Sequence, residues 1–153
     1  MKTIRWILLV LVMAGGGCAS APKTTLTFHE QVSGLLPDSR VKTVEVPRTK
    51  LRIPVSPFAS LTQKNVKVAE LIETAGGAAV MLRFDPHGLW LLDELTTRSR
   101  GNYIVVFLNE KPIAAWLVER RLSLGQFLLE GDFTDDEARQ LVDDLNKLAK
   151  KPK

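Results

Sequence analysis

Residues 103–118 read Tyr-Ile-Val-Val-Phe-Leu-Asn-Glu-Lys-Pro-Ile-Ala-Ala-Trp-Leu-Val. Tyr103–Leu108 is apolar without a break, which suits a central strand buried on both faces. Asn109-Glu110-Lys111 turns the chain, and Ile113–Val118 returns beside it. A central strand with an antiparallel neighbour makes this a sheet-forming domain, and the segments on either side supply the rest.

Upstream, Val66–Glu73 and Ala78–Phe84 flank Ala75-Gly76-Gly77 and read as a hairpin. Asp85-Pro86 then opens a helix, with the aspartate as N-cap and the proline at the first helical position. Leu89, Leu92 and Leu95 fall on one face of it, with Trp90 and Leu91 beside them. Gly101 is its stop, preceded by Arg98 and Arg100, whose charges suit the negative end of a helix. Downstream, Gln126–Glu130 gives a further strand. Thr134-Asp135-Asp136-Glu137 is a capping box, in which the threonine hydroxyl and glutamate carboxylate each satisfy an orphan backbone N–H. Ala138, Leu141, Val142, Leu145 and Leu148 then form one apolar stripe.

Nearer the N-terminus, Leu51, Ile53 and Val55 alternate with Lys50, Arg52 and Pro54. That is a half-buried strand, and the proline places it at an edge or an end. Leu26–Gln31 and Val41–Val46 are strand-like pieces broken by Pro37 and Pro47. The expected fold class is α+β, a mainly antiparallel sheet with two amphipathic helices packed on one face. The length of 153 residues suits one domain with one core.

The first residues follow a different logic. Lys2 and Arg5 precede an apolar run, Trp6 to Ala14, then Gly15-Gly16-Gly17 and Cys18, the only cysteine. The run is about half the roughly 20 residues a spanning helix needs. The order of basic, apolar and small residues resembles a bacterial lipoprotein signal. The resemblance implies that residues 1–17 are removed and that Cys18 becomes the acylated first residue, carrying palmitate-type chains. Several chains would hold it firmly, since each buried methylene contributes about 0.8 kcal/mol. With Ala19 after the cysteine, it implies an outer-membrane address facing the periplasm. Residues 18–25 would form a tether, and with Cys18 acylated no thiol is left for a disulfide.

Cutting 17 residues from the 153 leaves 136 and removes Lys2 and Arg5, so the formal net charge falls from +4 to +2. Much of the remaining excess sits in Lys147, Lys150, Lys151 and Lys153. A charge this small gives no footing for a nucleic-acid partner.

Beyond the low-order strand pieces of residues 26–49, residues 50–149 resemble the head of the first periplasmic domain of SecD, a membrane protein that assists protein export. The resemblance rests on an ordered series. Leu61-Thr62, Val66 and Ala69-Glu70-Leu71 look like an entry strand, and Gly77 to Phe84 like its partner. Asp85-Pro86-His87-Gly88 leads to Leu92 and Leu95-Thr96. Tyr103 to Glu110, then Lys111-Pro112-Ile113-Ala114, give a central strand, turn and return, although Asn109-Glu110 stand where the family favours a glycine. Gly131-Asp132-Phe133-Thr134 and Glu137-Ala138-Arg139-Gln140-Leu141 close the series. Residues 150–153 are left as a basic tail. The resemblance implies a role in contacting extended or unfolded exported chains. It does not carry over SecD's proton-driven pulling, which belongs to membrane helices and a second domain without counterparts here.

Catalytic groups are sparse. His29 and His87 are the only histidines, and neither has a second ligand at metal spacing. Ser123 has no histidine nearby in sequence. No glycine-rich phosphate loop occurs. Asp135, Asp136 and Glu137 are explained by the helix N-terminus. No cofactor, metal or small-molecule substrate is therefore expected, and the chain is not read as an enzyme. Trp90 and Trp116 are candidate partner-binding residues, because large amphipathic aromatics anchor many interfaces. Packing in the core is the other reading of both. An open sheet edge, along Leu51–Val55 or near Trp116, would suit strand addition by an extended peptide. The expectation is a lipid-anchored, non-catalytic protein-binding module of the cell envelope. The alternative is a structural or assembly subunit of an envelope complex with no client chain.

Overall fold

The computed structural model describes residues 24–32 and 41–150. Cys18, the signal-like segment and most of the tether and tail therefore lie outside the described residues. The elements run in the order β1 (Leu26–Glu30), β2 (Lys42–Glu45), β3 (Arg52–Val55), β4 (Leu61–Thr62), β5 (Val66–Thr74) and β6 (Gly77–Phe84). They continue with α1 (Pro86–Arg98), β7 (Tyr103–Leu108), β8 (Lys111–Leu117), β9 (Gln126–Leu129) and α2 (Asp135–Ala149). The fold is α+β and its strand pairings are antiparallel.

The strands divide among three sheets rather than one. A four-stranded sheet has the order β4-β1-β7-β8, a three-stranded sheet the order β5-β6-β9, and β2 pairs β3 in a ribbon. β7 is the central strand that its unbroken apolar sequence foretells. Ile104 and Val106 point into the larger core, which also contains Phe28, Leu82, Leu92, Leu95, Leu141 and Leu145. Both helices thus pack on that side of β7. Val105 and Phe107 point the other way, and Val44, Val46, Ile53 and Val55 of the ribbon cover them. β1 enters between β4 and β7, with Leu26 opposite Leu108 and Glu30 opposite Ile104.

Local chemistry sets the element ends. The Asp85 carboxylate accepts the Gly88 N–H at 2.8 Å and caps α1. Gly88 has no room for a side chain, because a Cβ there would lie 2.8 Å from the Asn65 Cβ. α1 ends at Arg98, and Gly101 follows with φ of +78°. Thr134 and Glu137 form the capping box of α2, with the Thr134 N–H donating to Glu137 Oε2 at 2.7 Å. The β7–β8 turn places two residues in the left-handed region, Asn109 at φ +48° and Glu110 at φ +68°. Both φ values positive is the signature of a tight hairpin turn whose twist matches its strands. The turn is tied to the start of β1: the Asn109 N–H donates to the Thr25 carbonyl, and the Thr25 N–H to Asn109 Oδ1, each at 2.9 Å.

At Ala69 the outer edge of β5 is covered by a side chain. Asn146 of α2 accepts the Ala69 N–H and donates to the Ala69 carbonyl, both at 2.9 Å. The carboxamide pairs with the strand as another strand would.

Candidate protein-binding groove

The loop of residues 119–125 joins β8 to β9, and α1 holds it. Thr96, fully buried, donates its hydroxyl hydrogen to the Leu92 carbonyl at 2.8 Å and accepts the Leu122 N–H at 3.0 Å. Arg121 grips Asp93 with two N–H groups, one of them at 2.6 Å. The hydrogen bond from Arg121 holds the Asp93 carboxyl below its ordinary pKa. Gly125, at φ +64°, lies against Leu89, whose Cδ1 would be 3.0 Å from an added Cβ.

Held this way, the loop forms one wall of a groove of about 550 Å³. Trp116 of β8 and Phe127 of β9 line it, their rings meeting edge to face at 5.5 Å. Met81, Leu124 and Leu128 continue the apolar lining. Leu124 is 80% exposed and Leu128 39%, so the groove presents apolar surface to solvent. Arg120 and Glu130 stand on the rim. Neither makes an ion pair among the described residues.

Of the two tryptophans singled out from sequence, the structure places only Trp116 in this groove. Trp90 is 57% exposed on α1, stacked on His87 at 6.1 Å, and does not line the groove. Sequence reasoning missed Leu124 and Leu128. The available signal was Leu124 itself, an apolar side chain in a turn next to Gly125.

The Leu51–Val55 edge is not open along its length. On the side of β3 away from β2, the Val32 N–H donates to the Pro54 carbonyl at 2.9 Å. The Ser56 N–H donates to the Glu30 carbonyl at 3.0 Å. The segment following β1 already occupies that flank, so strand addition at β3 would have to displace it.

His29 is half-buried beside a second cavity. Its Nδ1 lies 2.8 Å from the Ser56 carbonyl and so carries the proton, leaving Nε2 to accept from the Thr27 hydroxyl at 3.0 Å. Both ring nitrogens are engaged in joining β1 to the chain after β3. His87 is exposed. Among the described residues no three His, Cys, Asp or Glu side chains gather as a metal site would require. Asp135, Asp136 and Glu137 occupy the first turn of α2. There the Thr134 backbone N–H, then its hydroxyl, lower the Glu137 pKa.

The family described as SecDF, P1 head subdomain, matches residues 40–147. The chain belongs to this family. The matched span contains every residue lining the groove, while β1 precedes it. Among solved structures, one of a membrane component SecDF that enhances protein export is similar, with a TM-score of 0.63 and 22% identity. That match covers 80% of this chain and 62% of the other. SecDF in a super-membrane-facing form gives the same score and identity over 18% of its chain. SecDF from Thermus, a translocon-associated membrane protein, gives 0.50 and 21% over 20% of its chain. At these identities the likeness is one of fold, and this P1 head spans less than two thirds of each SecDF chain. No curated protein gives a significant match. Among the described residues no helix is long and apolar enough to cross a membrane.

Proposed function

We propose that this P1 head is a lipid-anchored protein of the cell envelope that binds other polypeptides without catalysing a reaction. Its clients are exported chains in an extended or unfolded state. The observation that carries the reading is the groove beside β9, with Trp116, Leu124 and Leu128 offering apolar surface that the domain itself does not cover. The SecDF proteins it resembles in fold are described as enhancing protein export, which supports an export client over an unrelated one. The engaged nitrogens of His29 and the exposed position of His87 support a binding role over catalysis. The anchor is Cys18, as the lipoprotein-like order of residues 2–18 suggests, and the outer membrane is its address.

A photocrosslinking residue at Leu124, introduced into the full-length chain in cells, tests the binding. We expect adducts with many secreted proteins, at higher yield than from a control position at Thr97. A single stoichiometric adduct would instead identify an assembly subunit, and yields equal to the control would remove the binding role. The anchor is tested separately. Labelling with a palmitate analogue should be lost in Cys18→Ser, and a native chain still starting at Met1 would overturn it.

A further inference from the structure

The groove contains something besides apolar surface, namely the open edge of a sheet. Among the described residues β9 pairs only with β6 and stands last in the β5-β6-β9 order. The Phe84 N–H donates to the Gly125 carbonyl at 3.0 Å. In an antiparallel ladder, hydrogen-bonded and non-bonded pairs alternate. The bonded pairs are therefore Leu82–Phe127 and Val80–Leu129, in the same register. Gln126 and Leu128 fall in the alternate positions, opposite Arg83 and Met81. Their N–H and C=O groups consequently point away from β6, toward the groove.

The two edges of this sheet are treated differently. β5 is covered at Ala69 by the Asn146 carboxamide. β9 has no such cover among the described residues, and its edge is flanked by Trp116 and the 119–125 loop. Exposed edges invite pairing and are ordinarily blocked. The edge of β9 thus lies uncovered beside a partly apolar groove, where an added strand could reach it.

We propose, building on the binding role above, that the groove takes an extended polypeptide segment as a fourth strand beside β9. A compact apolar ligand would leave the outward groups of Gln126 and Leu128 dry and unpaired, which costs free energy. An extended main chain pairs with them. The side chains of an added strand alternate between the Phe127–Trp116 side, which is apolar, and the Leu128–Met81 side, where Gln126 and Arg83 add polar groups. The segment selected is thus apolar at the positions facing Phe127 and Trp116, and an apolar side chain over Leu128 and Met81 adds to the fit. Folded proteins hide such stretches, so the groove reads the unfolded state of its client. Arg120 precedes β9 and Glu130 follows it. An acidic residue at the Arg120 end and a basic one at the Glu130 end complete the fit.

The test uses a synthetic peptide with four consecutive Val, Ile or Leu residues, flanked by Asp on one side and Lys on the other. Trp fluorescence reports binding to the domain, and amide hydrogen exchange reports on Gln126 and Leu128. We expect binding with slowed exchange at these two amides. N-methylation of alternate peptide amides in one phase should weaken binding on the order of tenfold, and in the other phase very little. The protein is unaltered in that comparison, so misfolding cannot mimic the result. Leu128→Pro deletes an outward N–H without touching the β6 ladder, and should weaken the peptide similarly with an unchanged circular dichroism spectrum. If the peptide binds but neither phase of methylation matters and both amides exchange freely, strand addition is wrong while the binding role stands. If nothing binds and crosslinking from Leu124 also fails, the binding role falls as well.

Discussion

The hydroxyl of Thr96 receives the Leu122 N–H at 3.0 Å while giving its own hydrogen to the Leu92 carbonyl at 2.8 Å. One buried side chain in α1 therefore fixes the height of the loop that walls the groove. Thr96→Val preserves shape and removes the acceptor, leaving a part-buried N–H without a partner. Stability should fall by about 1–3 kcal/mol, measured by urea denaturation. Thr96→Ser retains the hydroxyl and should lose less. Exchange of the Leu122 amide should accelerate in the valine variant more than exchange in β7.

The second tie between α1 and the loop is pH-dependent. The hydrogen bond from Arg121 depresses the Asp93 pKa from its ordinary value of 3.8. A depressed folded-state pKa means that the unfolded chain takes up the proton first as pH falls. The contribution is therefore complete above the ordinary value and disappears as pH drops through the folded one. The pair is solvent-exposed, so the effect is modest. Native protein and Asp93→Asn should differ in denaturation midpoint at neutral pH and converge in acid. A difference that persists unchanged below the ordinary carboxylate range would contradict this account.

Glu110 holds φ of +68° in the β7–β8 turn. A side chain in the left-handed region costs roughly 1–2 kcal/mol per residue, and glycine escapes that cost. Part of the gain is returned through the greater freedom of glycine in the unfolded chain. Glu110→Gly should raise stability, by on the order of 1 kcal/mol, with a matching rise in Tm. Asn109 should not be exchanged alongside it, because its side chain holds the Thr25 N–H.

Asn146→Ala removes both partners of the Ala69 main chain, and Ala69 is only 2% exposed. We expect a loss of about 1–3 kcal/mol. The newly open β5 edge should also promote association. Light scattering after size exclusion should show concentration-dependent dimers in the variant and none in the parent.

The features that follow local rules are legible in the sequence. Tyr103–Leu108 is central because all its side chains need burial, and the caps at Asp85 and Thr134 announce the helices that follow. Long-range choices are not legible. Alternation at Ile53 and Val55 reveals an apolar face without saying that Val105 and Phe107 are what it meets. Nothing local in Leu26–Glu30 says that β1 will lie between β4 and β7, and the division into three sheets depends on such pairings. The groove divides the same way. Trp116 stands out as a large aromatic and Leu124 as an apolar residue beside Gly125, but Leu128 looks in sequence like any core leucine. The exposure of Leu128 follows from the outer face of β9, and that of Leu124 from where the loop settles, which α1 decides through Thr96 and Asp93.

The knot between Thr25 and Asn109 governs how the domain carries load. The chain enters where β8 begins, whereas Trp116 lies five residues later, roughly 17 Å along the strand. A pull on the segment ahead of Thr24, directed away from a captured client, runs lengthwise along β1. Its five paired positions with β7 are then strained together in shear instead of being peeled one at a time. Under the proposed Cys18 anchor and a client in the groove, the load would therefore fall on β1 and β7 in shear.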